Sequence, residues 1–220
     1  SGVLVRDGTV AQNDALAILR GSSSSEVAGL LLHLLRSNDR KLVTTGLRLL
    51  ESKTSVEIME AFLEWLTRLD TAVLDRVSAV LSDSRFWENF SRVAPKIHEK
   101  LVEPVLLMLA NPSMSKKRRS AVLENLFRHQ HIQVKARALR ALGEIEPEAA
   151  LELAIPVLSR FPLHDDELTL SAACVIADSK REDKARLLLP LLKSVNEMTR
   201  KTALKVISRE SLDKYLAAFD

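Results

Sequence analysis

The stretch VKARALRALGEI, residues Val134–Ile145, decides the fold of this chain. Its residues Val134, Ala138, Ala141 and Leu142 fall at i, i+4, i+7 and i+8, so they form one stripe along an α-helix. Two of these four residues are alanines, which leave room for a neighbouring helix to come close. The stretch therefore predicts a helix that packs tightly against other helices.

The same pattern of small and apolar residues recurs along the chain at intervals of 28 to 34 residues. Internal periods of this size indicate stacked supersecondary units, each of which buries its apolar face against its neighbours. We call the first residue of each copy its anchor, and we count positions within a copy from that anchor. The anchors are Leu42, Val73, Leu101, Val134, Leu168 and Thr199.

Signals for helix starts follow the same period. Pro147 suits the first turn of a helix, where its missing N–H is not needed. Pro156 and Pro190 share one phase and are expected inside helices, which a proline kinks. Residue pairs with the Ser/Thr-x-x-Glu spacing of a capping box are Ser23 and Glu26, Thr54 and Glu57, and Ser179 and Glu182.

Together these signals predict an all-α fold of about six helical hairpins. Residues 1–23, with a helix near 9–20, and residues 209–220, with a helix near 210–219, are expected to cap a repeat array that spans residues 24–208. First helices are predicted near 24–36, 55–69, 85–96, 116–129, 147–161 and 180–194. Second helices are predicted near 40–52, 72–82, 99–110, 132–144, 166–178 and 197–208.

The small-residue helices and the proline-containing first helices resemble HEAT-like repeats, of the short kind also found in phycobilin-lyase-type repeat proteins. The resemblance covers residues 24–208. It implies an α-solenoid, a right-handed superhelix in which the second helices line the concave surface. It also implies a scaffold that binds other macromolecules, without naming them.

Composition agrees with a helical protein. The chain has 220 residues, of which 46% are hydrophobic, 28% charged and 4% aromatic, and this balance favours helices over strands. Cys174 is the only cysteine, so no internal disulfide is possible and a cytoplasmic location is expected. No apolar run reaches the ~18–20 residues of a membrane span, and no signal-peptide pattern is present. The start Ser1-Gly2 is typical of tag removal, so we expect the natural protein to be longer.

The net charge of +3 is unevenly distributed along the chain. Residues 116–140 contain eight Lys or Arg and one Glu, a local charge of +7. The segment opens with Lys116, Lys117, Arg118 and Arg119 at the start of a predicted helix, where the helix dipole disfavours cations. Two interpretations stay open, a solvated face and a contact for phosphate or an acidic protein.

Groups for catalysis and metal binding are sparse. His98-Glu99 is the only His-Glu dipeptide, so the di-iron site that HEAT-like deoxyhypusine hydroxylases build from repeated His-Glu pairs is not expected. We interpret His129 and His131 as solvated residues near a turn, and Cys174 as a structural or weakly exposed thiol. No nucleophile elbow and no phosphate-binding glycine loop is present. We therefore expect neither an enzyme nor a metal or cofactor site.

Aromatic residues cluster in two neighbouring first helices. Helical spacing favours core packing for most of them, but Trp87 falls off the stripe, and a surface anchor for a partner is the alternative for that residue. The members of the cluster are Phe62, Trp65, Phe86, Trp87 and Phe90.

The second helices predict a binding surface. Positions +2 and +6 point away from the buried stripe at about 100° per residue. Most of these positions are basic in repeats four and six, apolar in repeat five, where Leu170 and Cys174 occupy them, and acidic in repeats two and three, at Asp75 and Glu103. The predicted partner-binding residues, with their flanking cations, are Lys135, Arg137, Arg140, Leu170, Arg200, Lys201 and Lys205.

We expect a non-enzymatic scaffold whose partner is a protein or peptide with acidic and apolar residues. Electrostatic binding of nucleic acid by the basic repeats four to six is one alternative. A regulatory domain of a larger, membrane-attached protein is another. Direct membrane insertion is not expected, and the oligomeric state stays open.

Overall fold

The structure of the protein is a computed structural model that describes residues 23–37, 39–52, 55–69, 74, 77, 81, 85–110, 114–163 and 166–209. Within these ranges every regular element is helical, so the predicted all-α class is confirmed. In the same ranges no helix has the length and hydropathy needed to cross a bilayer. The chain divides into two compact units, Ser1–Arg118 and Arg119–Asp220.

The first unit contains five described helices, and a sixth begins at its end. These are α1 (Ser24–Leu35), α2 (Arg40–Ser52), α3 (Val56–Leu66), α4 (Phe86–Val93), α5 (Val102–Leu109) and α6 (Lys116–Leu126), with 3₁₀ turns at Ala94–Lys96 and Glu99–Leu101. The helices that follow in the second unit are α7 (Ile132–Ile145), α8 (Pro147–Leu158), α9 (Glu167–Asp178), α10 (Lys184–Leu188) and α11 (Glu197–Ile207), with a 3₁₀ turn at Leu189–Lys193.

Most of these bounds agree with the predicted helices to within a few residues. The predicted helices 9–20 and 210–219 lie outside the described residues. The same is true of nearly all of 72–82, where the described residues 74, 77 and 81 are helical. The assignment of residues 1–23 and 209–220 as caps of one array over 24–208 stays a prediction.

Side-chain caps fix the starts of α1 and α3. At α1 the predicted capping box is confirmed, because Ser23 Oγ accepts from the Glu26 N–H (3.4 Å) and Glu26 Oε2 accepts from the Ser23 N–H (3.0 Å). Hydrogen bonds from the hydroxyl and backbone N–H of Ser23 lower the pKa of the Glu26 carboxyl. At α3 the cap is Ser55, whose Oγ accepts from the Ile58 N–H at 3.3 Å. That cap is one residue later than predicted, and Thr54 lies outside the described residues.

The predicted capping box at Ser179 and Glu182 is wrong. Ser179 ends α9, and its hydroxyl donates to the Ile176 carbonyl at 2.7 Å. The next helix begins only after a bidentate pair in which Arg181 Nε and Nη2 donate to the Asp183 carboxylate at 2.7 and 2.8 Å. This pair lowers the pKa of Asp183. A serine hydroxyl can bond to free backbone groups at either end of a helix, so the spacing alone does not distinguish the two ends.

Prolines mark the first helices of repeats five and six differently. Pro147 opens α8, as predicted, and Pro156 lies inside α8. Pro190 lies inside the predicted first helix 180–194, in the 3₁₀ turn Leu189–Lys193 that continues α10 directly. A proline donates no hydrogen bond and crowds the preceding turn, and in repeat six the α-helix ends before it.

An aromatic cluster forms the core between α3 and α4. The ring centroids of Phe62 and Phe86 lie 5.2 Å apart and those of Phe86 and Trp87 lie 4.8 Å apart, both edge to face, a favourable arrangement of ring quadrupoles. Trp87 is only 1% exposed, and its Nε1 donates to the Leu81 carbonyl at 2.9 Å. The core interpretation is confirmed, and the alternative of Trp87 as a surface anchor is wrong.

Small residues bring the second helices of the second unit together. α9 packs against α7, α8 and α11, and α11 also packs against the 3₁₀ turn Leu189–Lys193. A Cβ placed on Gly143 of α7 would come 3.1 Å from Cγ2 of Val175 in α9, which shows how closely these two helices approach. The predicted stripe is buried at positions +4 and +8 in all three second helices, namely at Ala138, Leu142, Ala172, Ile176, Ala203 and Ile207.

Two glycines offer a matched test of the packing between α1 and α2. A Cβ on Gly29 meets nothing within 4 Å, whereas one on Gly46 would lie 3.2 Å from Leu34 Cβ and 3.1 Å from Leu35 Cδ2. We expect Gly29→Ala to raise the free energy of unfolding by about 0.5–1 kcal/mol, the difference in helix propensity. Gly46→Ala should gain less or lose stability, because Leu34 Cβ is held by its backbone. Equal stabilisation in denaturant melts would contradict this close contact.

Ala138 tests the packing of the second unit. Ala138→Leu adds three carbons to a site that is 1% exposed, so we expect the free energy of unfolding to fall by about 1–3 kcal/mol through overpacking. The matched control is Ala121→Leu on the exposed side of α6, where the change should stay within about 0.5 kcal/mol. Thermal melts that show no difference between the two variants would refute the assigned register.

Candidate binding surface

The three second helices of the second unit have the same rotation about their axes. α7, α9 and α11 all bury positions +4 and +8. At about 100° per residue, position +6 points directly away from the midpoint of +4 and +8. The side chains at +6 therefore face one common direction, and they are Arg140, Cys174 and Lys205.

The central helix α9 is open to solvent mainly on this side. Its neighbours bury it on its other sides, because α7, α8 and α11 all pack against it. Leu170 and Cys174, one helical turn apart, are half-buried and form the accessible stripe. The buried residues of α9 are Thr169, Ser171, Ala172, Ala173, Val175 and Ile176.

Basic side chains flank the α9 stripe on both sides. Arg137 and Arg140 of α7 are exposed, and so are Lys201 and Lys205 of α11. Lys201 also forms an ion pair with Glu197 one turn earlier, but exposed pairs of this kind contribute little, so the ammonium is available to a partner. We name Arg137, Arg140, Leu170, Cys174, Lys201 and Lys205 the three-helix surface.

Two predicted residues lie apart from the three-helix surface. Lys135 and Arg200 both occupy position +1, about 140° around the helix from +6, and both are half-buried. The Arg200 Nη1 donates to the Ser194 carbonyl at 2.6 Å, so this guanidinium supports the turn before α11.

The prediction that position +2 faces solvent is wrong for α7. Ala136, at that position, is fully buried. It lies on the same side of the helix as Gly143, whose Cβ direction points at Val175 of α9. Position +2 of α7 therefore packs towards the next second helix, whereas the same position in α11 is the exposed Lys201.

Acidic residues lie at one end of the three-helix surface, and the sequence reasoning missed them. Glu144 and Asp178 both occupy position +10, near the carboxyl ends of α7 and α9, and both are exposed. Position +10 lies about 40° from +6. An acidic residue at the same position, +10, in two successive second helices was the sequence signal that could have identified them. The surface is thus basic along most of its length and acidic at one end.

The acidic positions predicted for repeats two and three are only partly described. Asp75 lies outside the described residues, and Glu103 is exposed on α5. Glu103 and Lys100 border a groove of about 290 Å³ in the first unit, whose walls include Pro104 and Leu107. Its lining includes Thr67 and Lys100 but no histidine or cysteine, so the groove indicates no catalytic pair of nucleophile and base.

The described histidines form no cluster that could hold a metal ion. His98 Nδ1 lies 3.8 Å from Glu99 Oε2, and among the described residues no group of three or more His, Cys, Asp or Glu could hold a metal ion. His129 is fully buried, and its Nδ1 accepts from the His131 N–H at 3.0 Å. The interpretation of His129 as solvated is wrong, because its ring bonds to the backbone of the turn between α6 and α7.

The basic run at the start of α6 is split between solvent and protein. Lys116 and Lys117 are exposed, whereas Arg118 and Arg119 are half-buried. The Arg119 Nε is buried and has no hydrogen-bond partner among the described residues. Half of the run is thus a solvated face, and the prediction of a phosphate or protein contact there stays untested.

Comparisons with known proteins assign no family. No family model matches the chain, and no curated protein matches its sequence. A crystal structure of a protein described as engineered is similar over 94% of this chain and 66% of its own, with 17% sequence identity and a TM-score of 0.44. The chain thus spans about two thirds of the length of that structure.

Cys174 allows the charge of the three-helix surface to be measured, because it is the only cysteine. A positive field concentrates anions. Reversal of Arg140, Lys201 and Lys205 to Glu should therefore slow the reaction of Cys174 with the dianionic reagent DTNB roughly several-fold at low ionic strength. Added salt should remove the difference. Neutral iodoacetamide should be affected much less, and an equal effect on both reagents would contradict this arrangement of charges.

Proposed function

We propose that the chain is an α-solenoid of HEAT-like hairpins and serves as a non-enzymatic scaffold. Support comes from the regular alternation of first and second helices and from the shared phase of α7, α9 and α11. Its partner is a protein or peptide that binds along the second helices. Of the predicted residues, Arg137, Arg140, Leu170, Lys201 and Lys205 make the contacts, whereas Lys135 and Arg200 lie on another side of their helices and are left out of this contact.

The observation that carries this proposal is the basic, apolar, basic order across three packed helices. Half-buried Leu170 and Cys174 lie between the exposed cations of α7 and α11. An apolar strip a single helix wide between two rows of cations suits a segment that carries apolar residues in its middle and acidic residues on both sides. Burial of Leu170 would supply affinity, and the cations would supply orientation and a faster association rate.

A protein partner fits this surface better than nucleic acid. Affinity for the phosphate backbone rises with the number of phosphates that Lys and Arg neutralise, and Leu170 and Cys174 neutralise none in the centre of the surface. Glu144 and Asp178 would repel phosphates at its end. A polypeptide can instead place a basic residue opposite these two carboxylates.

The test uses Cys174 as a single attachment point for a photoreactive crosslinker. Capture of a protein through this site is compared among the parent, the Arg140, Lys201 and Lys205→Glu variant, and a control. The control reverses Arg85, Arg92 and Lys96, which are exposed in and beside α4, so the change in net charge is the same. We expect the first variant to lose the crosslink and the control to keep it.

Both variants should retain the parent's melting temperature within a few degrees, because isolated surface changes stay within about 0.5 kcal/mol each. If the Arg140, Lys201 and Lys205 variant captures the same protein at the same yield, the proposed surface is wrong. A duplex oligonucleotide forms the second arm. Binding that weakens with a log–log salt slope near −0.9 per phosphate contact, and that is lost in the same variant, would replace the protein partner with nucleic acid.

A further inference from the structure

Three successive turns of the second unit expose large apolar side chains. Each turn joins a first helix to a second helix. Leu163, between α8 and α9, is 88% exposed, and Val195, just before α11, is 85% exposed. Met198 in the first turn of α11 is 57% exposed, and Ile132, the first residue of α7, is 44% exposed. A single exposed apolar residue is ordinary, but recurrence at or just before the start of three successive second helices indicates an interaction site.

These residues lie along one edge of the second unit. Gly143, near the carboxyl end of α7, approaches Val175, near the carboxyl end of α9, so α9 runs parallel to α7. α10, the first helix between α9 and α11, packs against both of them, so α11 in turn runs parallel to α9. Because α9 packs against both α7 and α11, the amino-terminal ends of these three helices are neighbours.

A basic residue follows the end of the first helix shortly before each of these exposed side chains. Arg128, Arg160 and Lys193 occupy this place in repeats four, five and six, and all three are exposed. The amino-terminal end of α7, whose first turn carries no acidic residue, adds partial positive charge. We name this row the turn edge, and its residues are Arg128, Ile132, Arg160, Leu163, Lys193, Val195 and Met198.

Hydrogen bonds hold the last of these turns in a fixed shape. The Ser194 Oγ accepts from the Asn196 N–H at 3.0 Å, and the Ser194 carbonyl accepts from Arg200 Nη1 at 2.6 Å. Asn196 Oδ1 in turn accepts from the Met198 N–H at 2.9 Å. Because both of its neighbours are fixed, Val195 is presented in a preorganised position, and a preorganised contact loses less entropy on binding.

We propose that the turn edge docks one amphipathic α-helix of a partner protein, with an apolar residue at every seventh position and acidic residues beside it. Packed helices lie about 8–10 Å apart. Seven residues of an α-helix rise about 10.5 Å and return nearly to the same face. The apolar residues of such a helix therefore match the spacing of Ile132, Leu163 and Val195, and its carboxylates complement Arg128, Arg160 and Lys193.

Carboxylates within the same edge favour a protein over an anionic lipid surface. Asp166 caps α9, and Glu167 and Glu197 lie in the first turns of α9 and α11. These groups would repel lipid phosphates, whereas a helix can leave them solvated. The turn edge lies at the amino-terminal ends of the helices and is separate from the three-helix surface, so the inference goes beyond the proposed function and can fail without it.

The test uses two synthetic peptides of identical composition. Both are Ala- and Glu-rich helices with three leucines, placed seven residues apart in the probe and five residues apart in the control, which distributes the control's leucines around the helix. Fluorescence anisotropy with the full chain should show binding of the probe and, for the control, binding roughly tenfold weaker or absent.

Variants of the chain then locate the peptide. The double change Leu163→Ser and Val195→Ser should weaken binding of the probe peptide roughly tenfold or more. The control Leu204→Ser makes the same kind of change at a residue that is 54% exposed on α11, and it should leave binding unchanged. The Arg140, Lys201 and Lys205→Glu variant should keep the probe, which separates the two surfaces. Thermal melts verify that each variant is folded.

Several outcomes would overturn the inference. In the first, both peptides bind equally well, and in the second, the probe peptide still binds after the Leu163 and Val195 changes. The third such outcome is that the probe peptide fails to bind only the Arg140, Lys201 and Lys205→Glu variant. Anionic phospholipid vesicles form the last arm. In the fourth outcome, the parent chain sediments with these vesicles while the Leu163→Ser, Val195→Ser variant does not. That result would make the turn edge a membrane contact instead.

Discussion

Close packing of the second helices is the constraint on which the second unit depends. At Gly143 even a methyl group would crowd Val175 of the next second helix, and Ala136 is buried on the same side of α7. Ala138, Ala172 and Ala203 are buried at position +4 in all three helices, so the helices share one rotation about their axes. Larger residues at Ala136 or Gly143 would separate α7 from α9, and the alignment of their outer faces would be lost. The arrangement of the three-helix surface is thus a consequence of buried residues that are not part of it.

The first unit is packed by a different means. Its core between α3 and α4 is filled by the rings of Phe62, Phe86 and Trp87, which meet edge to face. Asn89 ties α4 to α2 through a bond from its Nδ2 to the Leu50 carbonyl at 3.2 Å. Large rings need specific neighbours, whereas alanines repeat easily. This difference explains why the repeat is clearest in residues 134–207 of the sequence.

The sequence could predict properties that depend on periodicity alone. Apolar spacing located most helix bounds, and the buried phase at +4 and +8 followed from the same spacing. Periodicity did not predict features that depend on neighbouring elements. Trp87 lies off its helix stripe yet is buried, because Leu81 offers its carbonyl to the indole N–H. His129 looked solvated in a polar turn, but its ring accepts a backbone hydrogen bond inside that turn.

The candidate surface shows the same limit at single positions. Position +5 is buried at Leu139 in α7 and at Ala173 in α9, yet Leu204 is 54% exposed at that position in α11. At position +2 the side chain likewise becomes more exposed from α7 to α11, from buried Ala136 to exposed Lys201. The sequence of one helix cannot distinguish these cases, because the difference lies in what packs beside it.

This order along the three helices also shapes the three-helix surface. On α7 the helix side that carries Ala136 faces α9, so the contribution of α7 is restricted to Arg137 and Arg140. On α11 both Lys201 and Lys205 are exposed, one turn apart, with Leu204 beside them. The open surface therefore widens towards α11. A bound segment would have more apolar and charged contact there than at α7, so the substitutions on α11 should weaken binding more than the one on α7.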